Sequence, residues 1–306
     1  MQQNPLIIIL GPTASGKTKL AVRLAAELGG EIISADSRQV YQGMDIGTGK
    51  DLAEYQYSGQ VIPYHLIDIR RAGEKYNVNE FKEDFFKVFE DISDRKRLPI
   101  LCGGTGMYIH SLLQQQDYTA IPADESLRAR LAQYDIQQLR SLLLEYPEEL
   151  VMKADQSSHK RLIRAIEIGE FLKENLLISK ERPLFNPVVI GLTSDISLRK
   201  KRIYERLEAR LSAGLVTEVK NLLENGVPRE TLEYYGLEYK FVSWYLHNEL
   251  TLAELEERLL IAIYQFAKRQ MTFFRKMEKD GVKIHWLDTD QGIEAVRYSI
   301  TKIIDL

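Results

Sequence analysis

Eight residues, Gly11-Pro12-Thr13-Ala14-Ser15-Gly16-Lys17-Thr18, have the form G-x-x-x-x-G-K-[ST] and follow the apolar run Leu6-Ile7-Ile8-Ile9-Leu10. Small residues let a backbone wrap closely around an anion. Successive N–H groups then point inward, and the positive end of a helix opening near Lys17 faces the same place. In that geometry Lys17 meets the terminal phosphates and the Thr18 hydroxyl ligates a bridging Mg2+. The pattern predicts a strand, a phosphate-cradling turn and a helix, and with them a polyphosphate ligand. Which bond of that ligand breaks, and toward what acceptor, is left open.

Two further segments leave strand-like runs. Asp36 follows Glu31-Ile32-Ile33-Ser34-Ala35, so its carboxylate should emerge at the same sheet edge as the phosphate loop. There it could hold a metal through water, take a proton from an acceptor nucleophile, or simply cap a turn. Asp36-Ser37-Arg38-Gln39 as a unit leans toward acceptor binding, since a Gln amide can bond a base edge bidentately. Gly103-Gly104-Thr105-Gly106 is a second small-residue turn, where Thr105 could bond an acceptor or a phosphate, or where the chain merely turns tightly. Arg202, Arg206 and Arg210 recur every four residues and share a helix face; they could reach a diphosphate or pair with Glu205 and Glu208. Tyr234, Tyr235 and Tyr239 beside Gly236 could stack bases, although core packing is the stronger reading.

The elements that must position these residues alternate. Short apolar runs at Leu6–Leu10, Ile32–Ala35, Ile100–Cys102 and Val188–Leu192 interleave with helical patterns at Lys17–Leu28 and Asn79–Ile92, which argues for an α/β fold: a parallel sheet flanked by helices. Ligands of such sheets bind beyond the carboxyl ends of the strands. From about Gln114 to Asn186 the β signals vanish, and leucine spacing at Leu127, Leu131, Leu139 and Leu143 predicts a helical insertion. The division expected is 1–113 with 187–306 as the sheet domain and 114–186 as the insertion. A helix is expected from near Ser197 to Asn225-Gly226, and Thr251-x-x-Glu254 is a capping box opening another.

At 306 residues, with 44% hydrophobic and 28% charged content, the composition is that of an ordinary soluble enzyme. No apolar run approaches the roughly 18–20 residues that span a bilayer, and Met1-Gln2-Gln3-Asn4 lacks a signal-peptide layout, so a cytoplasmic location and no membrane partner are expected. The single cysteine, Cys102, excludes an internal disulfide, and its strand-like setting predicts a buried thiol. A net charge of −3 gives no global nucleic-acid signature. Basic clusters at Lys160–Arg164, Arg199–Arg210 and Lys268–Lys276 are either solvated helix faces or the contact surface for a polyanion.

Taken together, GPTASGKT, ISADSRQVYQGMDIGTGKD (Ile33–Asp51), GGTGMYI (Gly103–Ile109), KRLIRAIE (Lys160–Glu167), RLEARLSAGLVTEV (Arg206–Val219) and FAKRQMTFFRK (Phe266–Lys276) resemble the tRNA dimethylallyltransferases, P-loop-fold enzymes. The resemblance spans most of the chain. It implies transfer of a dimethylallyl group from dimethylallyl diphosphate to N6 of the adenosine just 3′ of a tRNA anticodon, with Mg2+ as cofactor and a monomeric enzyme.

Residue by residue, it implies a donor-diphosphate loop at Thr13–Thr18, within the Gly11–Thr18 cradle, and Arg206 on the diphosphate, beside the Lys17 and the metal-ligating Thr18 that the loop pattern itself predicts. Asp36 becomes the general base and Thr105 a catalytic neighbour of the acceptor. It puts tRNA contacts at Asp36-Ser37-Arg38-Gln39, Thr105, Arg128, Lys160-Arg161-Leu162-Ile163-Arg164, Tyr235-Gly236-Leu237-Glu238-Tyr239-Lys240 and Lys268-Arg269-Gln270-Met271-Thr272-Phe273-Phe274-Arg275. Three departures stand out: Glu238-Tyr239-Lys240-Phe241 where the family has G-Y-K-E, Thr272-Phe273-Phe274-Arg275 where it has T-W-F-R, and Tyr146-Pro147 where it has D-P. A P-loop kinase and a nucleotide-gated RNA-binding protein are the competing readings; an Asp36 beside an intact phosphate loop disfavours the second.

Overall fold

The run Leu6–Leu10 has no polar alternation, as expected of a strand covered on both faces. In the computed structural model, which describes residues 4–114, 117–177 and 181–304, that run is β1 (Pro5–Leu10), and all five of its apolar residues are buried. Met1–Gln3, on which part of the signal-peptide reading rests, lie outside the described residues. The chain continues through α1 (Lys17–Leu28), β2 (Gly30–Ser34), β3 (Tyr64–His65), α2 (Val78–Asp94), β4 (Leu98–Gly103) and α3 (Gly106–Leu113). A two-stranded hairpin at Gln56–Tyr57 and Gln60–Val61 stands apart from the sheet.

Two compact units result, 1–113 with 183–306, and 114–182. The second segment of the sheet unit begins at Pro183, ahead of the expected Pro187. Phe185 accounts for this, because its ring packs on Phe85, Phe86 and Phe89 of α2, with centroids 6.1, 6.3 and 5.6 Å away. The unit 114–182 contains α4 (Glu125–Leu131), α5 (Ile136–Leu143), α6 (Glu148–Lys153) and α7 (His159–Glu174) around its own core of Leu127, Leu131, Leu139, Leu143, Leu162, Ile163 and Ile166.

The sheet unit then adds β5 (Asn186–Thr193), α8 (Ile196–Ser212), α9 (Leu215–Glu224), α10 (Arg229–Tyr235), α11 (Leu237–Leu246), α12 (Leu252–Lys279), β6 (Ile284–Asp288) and α13 (Ile293–Ile304). The expected single helix from Ser197 to Asn225 is two helices, α8 and α9. Gly214 breaks it with φ 101°, a conformation that suits glycine. The Thr251 capping box is present and opens α12.

The six strands are all parallel in the order β3-β2-β4-β1-β5-β6. Alternate residues of each strand enter opposite layers. Ile8, Leu10, Ile33 and Leu101 pack with the α2 phenylalanines and with Leu259, Ile263 and Phe274 of α12. Ile7, Ile9, Ile32 and Ile100 pack with Leu20 and Leu24 of α1 and Val296 and Ile300 of α13. The register aligns Leu10 with Gly103 and Ser34 with Cys102, so β2, β4 and β1 end side by side.

Candidate functional site

Three neighbouring strand ends therefore deliver Asp36, the Gly103–Gly106 turn and the phosphate loop to one edge. Parallel pairing requires this: strands in register that run the same way release their loops at the same place. Ala14 and Gly16 take positive φ (61° and 80°) within the loop, and the Lys17 ammonium donates to the Pro12 carbonyl at 2.8 Å.

A side chain from far along the sequence stitches the loops together. Gln270 of α12 is only 8% exposed; its Oε1 accepts from the Thr13 N–H (2.9 Å) and its Nε2 donates to the Gly104 carbonyl (3.0 Å). A Cβ on Gly104 would sit 2.5 Å from that amide, and one on Gly106 would sit 2.4 Å from the Phe273 ring. Close approach of α12, as well as tight turning, explains the small residues. The next link is Thr105, whose Oγ1 accepts from the Ser37 N–H at 3.1 Å. Asp36 Oδ1 caps this segment by accepting from the Arg38 N–H at 2.8 Å. Its second oxygen has no hydrogen bond to a described residue.

The segment Asp45–Asp51 closes the other side. The Glu218 carboxylate accepts from three successive N–H groups, those of Asp45 (2.8 Å), Ile46 (2.7 Å) and Gly47 (3.0 Å), and from the Tyr239 hydroxyl (2.8 Å). With the turn so held, the Gly49 carbonyl accepts from both Gln39 Nε2 (3.1 Å) and Arg206 Nη2 (3.3 Å). Arg206 also pairs with Asp51 at 2.5 Å, and Arg210 pairs with Glu238 at 3.0 Å. The pairing of this stripe with Glu205 and Glu208 gives way to these loop contacts, although Lys201 does reach Glu205.

The loop borders a cavity of about 450 Å3, lined by Ser15, Lys17, Thr18, Asp51, Glu54, Arg202 and Arg206 among others. Lys17 is lowered to about 8, chiefly by burial and also by nearby Arg206, against the opposing pull of Cys102 and Asp36. Burial likewise raises the Glu54 carboxyl and pushes the Cys102 thiol up to about 12, which leaves it protonated and unreactive. For an oxygen-ligated cation such as Mg2+, the cavity offers the Thr18 hydroxyl, the buried Ser15 hydroxyl, which has no hydrogen-bond partner among the described residues, and two carboxylates. No group of three or more His, Cys, Asp or Glu side chains among the described residues could hold a metal by itself. A site completed by phosphate oxygens and water fits that donor set.

The proposed RNA-contacting residues divide by burial. Leu162 and Ile163 are buried in the insertion core, and Tyr235, Tyr239 and Phe274 in the main core, so their side chains pack inward. Gln270 is likewise turned inward, with both ends of its amide engaged. Gln39 cannot present a free amide to a base edge in this arrangement, since Ser34 Oγ donates to its Oε1 at 3.1 Å while its Nε2 serves Gly49.

In the insertion, Arg128 donates to Glu167 at 2.9 and 3.0 Å, and Arg164 pairs with the same buried carboxylate. Lys160 and Arg161 are exposed, and on α12 so are Lys268, Arg269, Thr272 and Arg275. Met271, Phe273, Gly236, Leu237, Glu238 and Lys240 are half-buried. The two departures near the site have local roles: Glu238 anchors Arg210, and Phe273 packs edge-on to His110 at 5.9 Å. Asp51, Glu54 and Glu218 escaped sequence reasoning. All three lie in or beside segments it had marked, but nothing in a carboxylate's spacing says which cation or N–H it will meet.

Among the described residues, no helix is long and apolar enough to cross a membrane. The family model described as IPP transferase matches residues 39–277, and one described as isopentenyl transferase matches residues 4–62. The tRNA dimethylallyltransferase 1 of Parabacteroides distasonis is 51% identical over 94% of each chain. That of Porphyromonas gingivalis is 51% identical over 95% of this chain and 97% of its own. Among solved structures, the full-length tRNA isopentenylpyrophosphate transferase of Bacillus halodurans is 33% identical, covering 99% of this chain and 97% of its own with a TM-score of 0.71. A eukaryotic dimethylallyltransferase acting on tRNA shares the fold, with a TM-score of 0.74 at 24% identity over 94% of this chain and 74% of its own.

Proposed function

The chain belongs to the IPP transferase family, and we propose that it moves a dimethylallyl group from dimethylallyl diphosphate to N6 of the adenosine just 3′ of a tRNA anticodon, releasing diphosphate. The observation that carries this reading is the continuous bonding from Asp36 through Thr105 and Gly104 to Gln270 and the phosphate loop, which puts a carboxylate and an anion cradle at one sheet edge.

In the reaction the bond between C1 of the dimethylallyl group and the diphosphate oxygen breaks, and a bond from C1 to the adenine nitrogen forms. The electron pair leaves with the diphosphate, and the free oxygen of Asp36 accepts the amine proton. An exocyclic amine is a weak nucleophile, so most of the acceleration must come from stabilising the leaving group. Lys17, Arg206 and the loop N–H groups supply this, and Arg206 must turn from Asp51 to do so. Thr18, with Ser15 beside it, would hold Mg2+, which when bound neutralises charge on the diphosphate. Thr105, by fixing the Ser37 backbone, keeps Asp36 in place as the acceptor enters.

A target base in an unpaired loop can be unstacked cheaply. The exposed cations of α12 provide a surface for the phosphate backbone. In the phosphoryl-transfer reading the cradle would hold ATP; family membership displaces it. Incubation with unmodified tRNA, dimethylallyl diphosphate and Mg2+, followed by mass spectrometry of the digested nucleosides, should yield isopentenyladenosine and require no ATP. Asp36→Asn should lower kcat by about 10²–10⁴ with tRNA binding retained. A full-length tRNA left unmodified under every condition would overturn the proposal.

A further inference from the structure

Asp36 begins a segment whose third residue, Arg38, lays its guanidinium over the ring of Tyr234, 5.0 Å from the centroid. Tyr234 lies on α10, a helix fixed from below. Its neighbour Tyr235 is fully buried, packs on Tyr41 with centroids 4.2 Å apart, donates its hydroxyl proton to the Glu74 carbonyl (2.8 Å) and accepts from the Gly73 N–H (2.6 Å). Leu232 is buried on the same side. With those two residues anchored, Tyr234 is the one turned outward, and it is 60% exposed.

Exposure alone does not single it out, because Tyr298 is as open. What distinguishes Tyr234 is its partner. Arg38 forms no ion pair with a described residue, and its own N–H is tied to the Asp36 carboxylate. A rigidly mounted aromatic ring, a guanidinium over its face and the carboxylate proposed as proton acceptor thus lie within one short segment and the helix beside it. Carboxylates pair with cations wherever they can, but flat cation and flat ring together favour a flat, electron-rich partner beside a phosphate. That description fits a nucleobase of single-stranded RNA.

We propose that Tyr234, with Arg38, is a stacking platform for the base flanking the target adenosine, and that it sets tRNA affinity without touching the donor. The proposal rests on tRNA being the acceptor. Stacking a base on an aromatic side chain contributes about 1–3 kcal/mol. The platform would also hold the flanking base while the target base leaves the stack, so it favours the extruded conformation of the loop.

The test compares wild type, Tyr234→Ala and Tyr234→Phe in binding of a fluorescent anticodon stem-loop and in turnover with whole tRNA. Tyr234→Ala should weaken stem-loop binding and raise the KM for tRNA by about 5–150-fold, leave the KM for dimethylallyl diphosphate unchanged, and melt as wild type does. Tyr234→Phe should restore both values. A stem-loop made abasic at the flanking position should bind wild type and Tyr234→Ala equally, since the partner is already gone. Binding by Tyr234→Ala within twofold of wild type, or a loss that Phe does not restore, overturns the platform. If wild type binds the stem-loop through Tyr234 but forms no prenylated nucleoside, the activity reading fails and the platform stands.

Discussion

The Asp51 carboxylate holds the Arg206 guanidinium at 2.5 Å, on the rim of the cavity that the phosphate loop opens. In the proposed reaction a donor diphosphate would compete with that carboxylate for the same cation. Both side chains are about a third or more exposed, so the pair is worth at most about 1 kcal/mol. Asp51→Asn should therefore lower the KM for dimethylallyl diphosphate by up to about fivefold, with no change in the KM for tRNA. Steady-state kinetics at low ionic strength would read the difference, and added salt should shrink it.

Lys17 carries a pH signature. Burial lowers it to about 8, so the ammonium is charged below that pH and neutral above it. In the proposed reaction, donor binding needs the charged form. The KM for the donor should be flat through neutral pH and rise above about 8, with bound diphosphate displacing the limb upward. Lys17→Arg stays charged throughout, so its profile should lack that limb even if its overall rate is lower.

Gln270 joins two loops through one buried amide. Gln270→Ala strands the Thr13 N–H and the Gly104 carbonyl and should cost about 2–3 kcal/mol in chemical denaturation, with a raised donor KM. Gln270→Glu keeps the shape and the acceptor for Thr13 but turns an oxygen toward the Gly104 carbonyl. It should disturb the donor site more than its size change implies.

Glu167 ties the insertion together. Burial would raise its carboxyl, but hydrogen bonds from Arg128, Arg164 and the Asp124 N–H outweigh that and hold it below the ordinary carboxylate range. A depressed carboxyl contributes stability that is present above its unfolded pKa and lost as pH falls through its folded value. The insertion should thus loosen in acid, and Glu167→Gln should remove most of that dependence while destabilising at neutral pH by on the order of 2 kcal/mol. Hydrogen exchange resolved along α4 and α7 would report both.

Exposed cations should behave differently from structural ones. Lys268→Ala, Arg269→Ala and Arg275→Ala should each reduce the slope of log affinity for tRNA against log salt by roughly 0.7–0.9 for every phosphate left without its cation. Arg164→Ala should instead lower the melting temperature. An Arg164 variant that changes the salt slope at unaltered stability would return that residue to the RNA surface.

Adjacency in sequence already determined much of this protein. The phosphate loop between β1 and α1, Asp36 just past β2, the small-residue turn after β4 and the capped start of α12 are all set by neighbours within a few residues, where propensity and periodicity act. The helical insertion was legible for the same reason. β3 and β6 were not, because two- and five-residue edge strands carry little periodic signal.

Tertiary structure decided which polar side chains remain free. Helix periodicity separates an apolar face from a polar one, but it cannot tell a solvated glutamine from Gln270, which meets Thr13 across 257 residues, or a surface glutamate from Glu218, which closes on Ile46 across 172. Burial of a polar group demands a partner, and that partner comes from whichever distant loop the packing brings near. The same packing withdrew Tyr235, Tyr239 and Phe274 into the core and left Tyr234 outside beside Arg38.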